Sequence, residues 1–312
     1  MSIKISVILP VYNAGDYIQE TVQSVLNQTL PAHEIVLVDD GSTDNSLEIC
    51  QQLANRFQHI QLHTQENAGP SVTRNRAVSY AKNDWVCFLD ADDLFHPQRL
   101  ELAAAFVDNE TDAVICEFSR FTNNALPEMD TLHVENIQLL NPEQSQLAVL
   151  QFGYGLPRMM MRRNVYLDSG GLDENLVNNE DHELHFRMLT QRVKFKKTNA
   201  VLYYYRHHSG GSRLANNPKK IEYVYRALDK MKNQISMLPI ELQDFAKQLI
   251  ANRIASNALS QARIGNAEYK KHLAEAKRLS NNLKPYKKEW HNKLSATLGY
   301  GNLEELMGKF SR

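Results

Sequence analysis

An apolar run, Phe88-Leu89, leads straight into three carboxylates within four residues: Asp90, Asp92 and Asp93, with Ala91 between the first two. Like charges this close repel and raise one another's pKa, so the cluster is costly unless a cation offsets it. A hard divalent cation suits the position, because Mg2+ and Mn2+ take carboxylate oxygens and bridge to substrate phosphates. A solvated acidic turn suits it equally, Asp being favoured there for its local hydrogen bonds. A second acidic pair, Glu180-Asp181, heads a helical stretch, where acids complement the helix dipole. Downstream, Tyr205-Arg206-His207-His208-Ser209-Gly210-Gly211-Ser212 sets two imidazoles beside a flexible glycine pair.

The elements that must position these groups alternate in type. Ile5–Pro10, Glu34–Val38, Ile60–His63 and Trp85–Leu89 are short apolar runs that predict buried strands. Between them, Gly15–Gln28 carries apolar residues at helical spacing, a second helix runs to about Leu53 with Ser42 or Thr43 as its cap, and a third covers Val72–Ala81. This alternation predicts a mostly parallel sheet covered on both faces, with ligands bound beyond the carboxyl ends of the strands. Pro10–Asn13, Asp39-Asp40, the Asn67–Arg74 loop and Asp90–Asp93 all fall at that edge. Farther on, Ala113–Cys116 and Val201–Tyr205 read as strands, Asn141–Phe152 and Asp181–Gln191 as helices. Beyond Pro218 the pattern is nearly all helical, with breaks near Pro239, Gly265 and Pro285.

At 312 residues, 43% hydrophobic and 23% charged, the chain has the composition of a globular protein large enough for two units. Its net charge of −1 hides an asymmetry. Up to Ser212 there are 16 Lys and Arg against 27 Asp and Glu, a balance of −11; from Arg213 onward there are 19 against 9, or +10. Two units are therefore expected, 1–212 and 213–312, the first divided into 1–111 and 112–212. The three cysteines, Cys50, Cys87 and Cys116, lie far apart in apolar contexts and suit buried thiols rather than a disulfide framework or a zinc site. Met1-Ser2-Ile3-Lys4 leads into a short strand, not a signal peptide, and no run approaches the ~18 apolar residues of a membrane span. The expectation is a cytoplasmic protein whose membrane contact, if any, is peripheral on the inner face.

In order along the chain, ISVILPVYN (Ile5–Asn13), EIVLVDDGSTD (Glu34–Asp44), Asn67-x-Gly69-x-x-x-x-Arg74-Asn75 and FLDADD (Phe88–Asp93) resemble the nucleotide-sugar-binding half of the family 2 glycosyltransferases. The resemblance covers roughly Ile3 to Ser212. It implies the GT-A fold, a Rossmann-like, mostly parallel sheet flanked by helices, here followed by a helical C-terminal unit. It assigns nucleotide-sugar binding to Pro10, Tyr12, Asn13, Asp39, Asn67, Gly69, Arg74, Asp90, Ala91 and Asp92. Pro10 and Tyr12 would give the base its apolar rest, and Asp39 resembles the acid that contacts uracil. Asp40 suits a helix cap or a structural acceptor. Gly69 permits close approach at a helix start that favours anions, and Arg74 offers a charged fork to the diphosphate or the base, unless it is a solvated helix residue. Asp92 resembles the direct Mn2+ or Mg2+ ligand and Asp90 its neighbour toward the ribose, while Asp93 suits a turn cap. Glu180-Asp181 resembles the motif whose Asp, here Asp181, deprotonates the acceptor hydroxyl, with Glu180 positioning that Asp or the acceptor. His208 would approach the metal or the diphosphate, unless His207 and His208 are surface histidines, and Ser212 would lie in a closing loop. An imidazole ligand favours Mn2+ over Mg2+.

The resemblance thus implies an inverting, metal-dependent transfer of a sugar, UDP-linked by preference, to a hydroxyl of a glycan or glycolipid in bacterial surface polysaccharide synthesis. A sugar nucleotidyltransferase would share the sheet and the acids, but it needs a glycine-rich basic loop after the first strand, which Pro10–Gly15 lacks. A non-enzymatic nucleotide-binding module would require loss of a chemical residue, and none is missing. Many family members carry a Trp in the segment matching Gly155–Arg163; here Met159-Met160-Met161 stands there, which leaves the acceptor open and also suits core packing. Lys284–Lys293 interleaves basic residues with Tyr286 and Trp290, which fits an anionic membrane surface or a solvated partner face. No recognised nucleic-acid module accompanies it, so nucleic acid is not an expected partner.

Overall fold

The computed structural model describes residues 3–123, 125, 127–208, 220–263, 265–281 and 283. Gly210, Gly211, Ser212 and the Lys284–Lys293 segment lie outside the described residues. The chain divides into two compact units, Met1–Asn217 and Pro218–Arg312. Among the described residues no helix is long and apolar enough to cross a membrane.

The first unit is built on an eight-stranded sheet. Its first half is β1 (Ile5–Val11), β2 (Glu34–Asp39), β3 (Ile60–Thr64) and β4 (Trp85–Phe88), all parallel, in the order β3-β2-β1-β4. Except for Pro10 at the end of β1, every residue of β1, β2 and β4 is buried, as a strand covered on both faces requires. α1 (Ile18–Leu26) lays Ile18, Val22 and Val25, one face of a helix, against this core. α2 (Ser46–Arg56) and α3 (Pro70–Tyr80) complete the crossovers.

The second half turns the sheet mixed. β5 (Leu94–Phe95), a two-residue strand, is followed by α4 (Arg99–Ala105), β6 (Ala113–Phe121), α5 (Pro142–Phe152), β7 (Met159–Arg162), α6 (Arg163–Asp168), α7 (Glu180–Thr190) and β8 (Phe195–Arg206). β7 runs antiparallel between β4 and β6, so Met159, Met160 and Met161 are fully buried core residues. β8 pairs with β6 and then with β5, setting Tyr204 opposite Leu94 and Tyr203 opposite Phe95. That last pairing brings the end of β8 back to the residue that follows Asp93. The three cysteines are free and buried.

One expectation fails here. Ser42 and Thr43 do not cap α2, which begins at Ser46. Ser42 Oγ instead accepts the Asn13 N–H at 3.0 Å, and the Thr43 N–H donates to Asn13 Oδ1 at 2.8 Å. The segment after β2 is therefore spent on tying down the loop after β1.

The second unit is helical: α8 (Lys220–Asn233), α9 (Ile240–Arg263) and α10 (Tyr269–Leu279), with breaks around Pro239 and Gly265. Leu228, Met231, Ile250, Ile254 and Ala276 form its buried interior. The Tyr225 ring stacks on His272 with centroids 3.7 Å apart.

Candidate active site

Four loops at the carboxyl ends of β1, β2, β3 and β4 surround a cavity of about 690 Å3 lined by Pro10, Tyr12, Asn13, Asn67, Gly69, Arg74, Asp90, Ala91, Asp92 and His208, among others. A cavity of similar size, about 730 Å3, opens at the opposite, amino-terminal edge around Lys4, Trp85 and Arg162, away from every motif residue. Ligands in sheets of this kind bind at the carboxyl edge, so the first cavity is the functional candidate.

Asp39 closes β2 beside Asp40, which lines the cavity. Asp39 is 1% exposed; its Oδ2 accepts the Ser42 N–H at 3.1 Å, while Oδ1 is buried without a hydrogen-bond partner. An unpaired buried carboxylate oxygen is costly, and a donor supplied by a ligand relieves that cost. Tyr12 stands 43% exposed at the rim. Asn13 adopts φ 49°, a left-handed conformation that Asn tolerates; its Oδ1 accepts the Thr43 N–H at 2.8 Å, and the residue lines the cavity.

Asp40 is a structural acceptor. Its Oδ1 takes the Ala68 N–H at 2.8 Å and Gln65 Nε2 at 2.7 Å, and its Oδ2 takes the Gly69 N–H at 2.9 Å. Asn67 Nδ2 donates to the Asp40 carbonyl at 3.0 Å. The Gly69 amide is therefore taken by Asp40, and Pro70 after it has no N–H to offer. What Gly69 contributes is space: at φ 89° a Cβ built there meets no heavy atom within 4 Å.

Arg74, on α3, is not a solvated helix residue. Its side chain is 11% exposed, its Nη2 donates to Asp90 Oδ1 at 2.6 Å, and its Nη1 lies 4.0 Å from Glu180 Oε1. It lines the cavity and approaches the acidic pair of α7 through Glu180. Neighbouring Asn75 clamps the turn that leads to α7: its side chain donates to the Leu172 carbonyl and accepts the Leu172 N–H, both at 2.9 Å, and accepts from Tyr166 Oη at 2.6 Å. Gly171, at φ 63°, is required there because a Cβ would come within 2.6 Å of Asn75 Oδ1. Arg187 ties α7 to the same turn through the Gly171 carbonyl and Glu183.

α7 begins at Glu180, after Asn179 in a left-handed conformation with no side-chain cap. Asp181 does more than complement the dipole. Its Oδ2 accepts the Leu156 N–H at 3.4 Å and its Oδ1 is buried without a partner. Burial first, then the negative charge of Glu180, pushes its pKa up to about 7, against the opposing pull of Arg74. A carboxylate poised there suits general-base work near neutral pH.

At the end of the cavity beyond β4, Asp92 Oδ2 and His208 Nε2 lie 2.8 Å apart, each side chain about one-third exposed. Asp93 faces away from the cavity and is fully buried; it accepts from Tyr203 Oη and, at 2.7 Å, from the Arg206 N–H, fixing the acidic turn to β8. Burial and its two acidic neighbours raise its pKa to about 8. Among the described residues no group of three His, Cys, Asp or Glu forms a ready cation cage. The donor set of one carboxylate and one imidazole beside an open cavity still fits a hard cation, which commonly takes one or two protein ligands and fills its sphere with phosphate oxygens and water.

Sequence reasoning missed three contributors. Asn75 stands within the loop motif, but its partner lies 97 residues away. Tyr17, at the start of α1, touches the His208 ring with centroids 5.2 Å apart. Arg206 is buried although Arg is seldom so.

Residues 6–170 match the model of the family described as glycosyl transferase family 2. The chain is 43% identical over 114 residues to the uncharacterized glycosyltransferase YibD of Escherichia coli K12, a match covering 36% of this chain and 33% of that protein. It is 41% identical over 127 residues to the putative teichuronic acid biosynthesis glycosyltransferase TuaG of Bacillus subtilis, covering 40% and 48%. The chain thus matches less than half the length of each relative. Among solved structures, S. aureus TarS 1–349 with UDP-GlcNAc superposes with a TM-score of 0.68 at 22% identity, covering 88% of this chain and 79% of that one. The mannosyltransferase PcManGT of Pyrobaculum calidifontis, with GDP-Man and Mn2+, gives a TM-score of 0.54 at 15% identity, covering 88% and 84%. These likenesses give the first unit the GT-A fold.

Proposed function

The chain belongs to glycosyl transferase family 2, and from that premise we propose that it transfers a sugar, with inversion, from a UDP-sugar to a hydroxyl of a glycan or glycolipid in bacterial polysaccharide synthesis. The observation that carries this reading is Arg74: one buried guanidinium joins Asp90, at the donor cavity, to Glu180 at the head of α7. A donor motif and a basic carboxylate held by one side chain suit a reaction between two substrates meeting at that point.

In this reading the base rests against Pro10 and Tyr12 and its ring N–H satisfies Asp39 Oδ1. Asp92 and His208 would hold Mn2+ or Mg2+, which supplies Lewis-acid neutralisation of the departing diphosphate. Asp90, oriented by Arg74, faces the ribose. Asp181 accepts the acceptor hydroxyl proton at its unpartnered Oδ1, on the side opposite the nucleotide, and Glu180 keeps its pKa high enough for the proton to be held. Gly155 and Leu156 border the acceptor in this reading, because the Leu156 amide donates to Asp181 Oδ2 at 3.4 Å. Two structurally similar proteins hold nucleotide sugars, one of them with Mn2+, which supports the same donor class. The net-positive C-terminal region suits contact with an anionic membrane carrying a lipid-linked acceptor.

A panel of UDP-, GDP- and TDP-sugars, incubated with the protein and Mn2+ and assayed for nucleotide release, tests the reading. Metal-dependent release from a UDP-sugar is expected; release confined to other nucleotides would overturn the donor assignment.

A further inference from the structure

We propose that Arg206 is a positioning residue that holds both candidate metal ligands, Asp92 and His208, and that Glu20 on α1 anchors it. The inference rests on the donor-site reading above and goes beyond it, since neither residue faces the substrate as a ligand. The Arg206 side chain is 3% exposed, and each arm of its fork is occupied. Nε donates to the Asp92 carbonyl, Nη1 to Asn123 Oδ1 and Nη2 to Glu20 Oε2, all at 2.6 Å. Its main-chain N–H holds Asp93. The guanidinium carbon lies 5.0 Å from the centre of the Tyr17 ring, and that ring also touches His208.

One planar group thus reaches Asp92 through its own peptide carbonyl and His208 through Tyr17. Fixing that carbonyl fixes the peptide from which the Asp92 side chain springs. Tyr17, at the start of α1 and packed against Arg206, limits where the His208 ring can stand. A fork with three differently aimed donors can do this; an ammonium, a point charge on a flexible stem, cannot. If Arg206 only stabilised the fold, its loss would lower stability and leave ligand affinity unchanged in molecules that remain folded. If it positions the ligands, metal-dependent nucleotide affinity falls by more than stability accounts for.

The test uses the full chain and two variants, Arg206→Lys and Glu20→Gln; Glu20 is 43% exposed, so the second change leaves the interior intact. Calorimetric titration with UDP, with and without Mn2+, and the electron-spin-resonance signal of free Mn2+ give affinities directly, without turnover. Both variants are expected to bind UDP with Mn2+ roughly 10–100-fold more weakly, the range for partners that orient metal ligands. UDP affinity without metal and the unfolding midpoint of Glu20→Gln should stay near wild type. Wild-type Mn2+-dependent affinity in both folded variants overturns the proposal, as does an equal loss with and without metal. A wild-type chain with no Mn2+-dependent affinity for UDP overturns the donor-site reading itself, and this inference with it.

Discussion

Arg74 and Asp90 are joined by a 2.6 Å bond between Nη2 and Oδ1, and that contact links the two halves of the site. The same guanidinium reaches Glu180 at 4.0 Å, and its charge opposes the rise in the pKa of Asp181 that burial and Glu180 produce. Donor-side and base-side carboxylates therefore share one cation, and a change to any member is felt by the rest.

The pH profile follows from this sharing. As the proposed base Asp181 would work deprotonated, so kcat/KM should fall as pH drops through about 7, where its pKa is held. Glu180→Gln removes a like charge, lowers that pKa and moves the acid limb to lower pH. Arg74→Met removes the opposing cation and moves the limb to higher pH. Limbs that shift in the reverse order would sink the assignment.

Asp40 gives a second prediction. Its two oxygens hold the Ala68 and Gly69 amides, and hydrogen bonds to a charged group contribute about 1.5–3 kcal/mol each. Asp40→Ala should loosen the loop and raise the donor KM at least tenfold, with a smaller effect on kcat. An unchanged KM would mean the loop is held by other contacts.

Gly153 ends α5 at φ 53°, and a Cβ there would lie 2.4 Å from the His182 ring, whose Nε2 is 2.9 Å from the Leu150 carbonyl. Gly153→Ala should destabilise the first unit by about 1–3 kcal/mol, the usual cost of overpacking, and lower turnover by displacing α7. Denaturant midpoints of the two proteins measure it.

Much of this architecture is legible in the amino-acid sequence. Continuous apolar runs bounded by Pro10, Asp39 and Asp90 mark buried parallel strands, and their ends place four motifs on one edge. The two-residue β5 and the short helices α4 and α6 escape such a reading because they are too brief for a period to register. Ser42 and Thr43 carry a strong local capping signal, but Asn13, about thirty residues earlier, claims them. The acids of the site are readable as types. The family resemblance separates their roles, but the distant partners that hold Asp40 and Asp93, the Ala68 and Gly69 amides and the Tyr203 hydroxyl with the Arg206 amide, are not written in their neighbours. Arg206 is hidden by its chemistry, since nothing local distinguishes a buried guanidinium from a solvated one.

Metal removal is a further check. Chelation should abolish transfer, and Mn2+ should restore it better than Mg2+ because His208 supplies an imidazole. His208→Ala should narrow that preference. Full activity in a chelator would exclude Asp92 and His208 as metal ligands.

In this account the proton leaves the acceptor through Asp181 while the donor is held elsewhere. The most direct measurement pairs sugar transfer with Mn2+-dependent UDP affinity in Asp181→Asn. Transfer is predicted to fall by about 10²–10⁴-fold, the typical contribution of a positioned general base, with UDP affinity near wild type. Transfer at the wild-type rate in the folded variant would contradict the account.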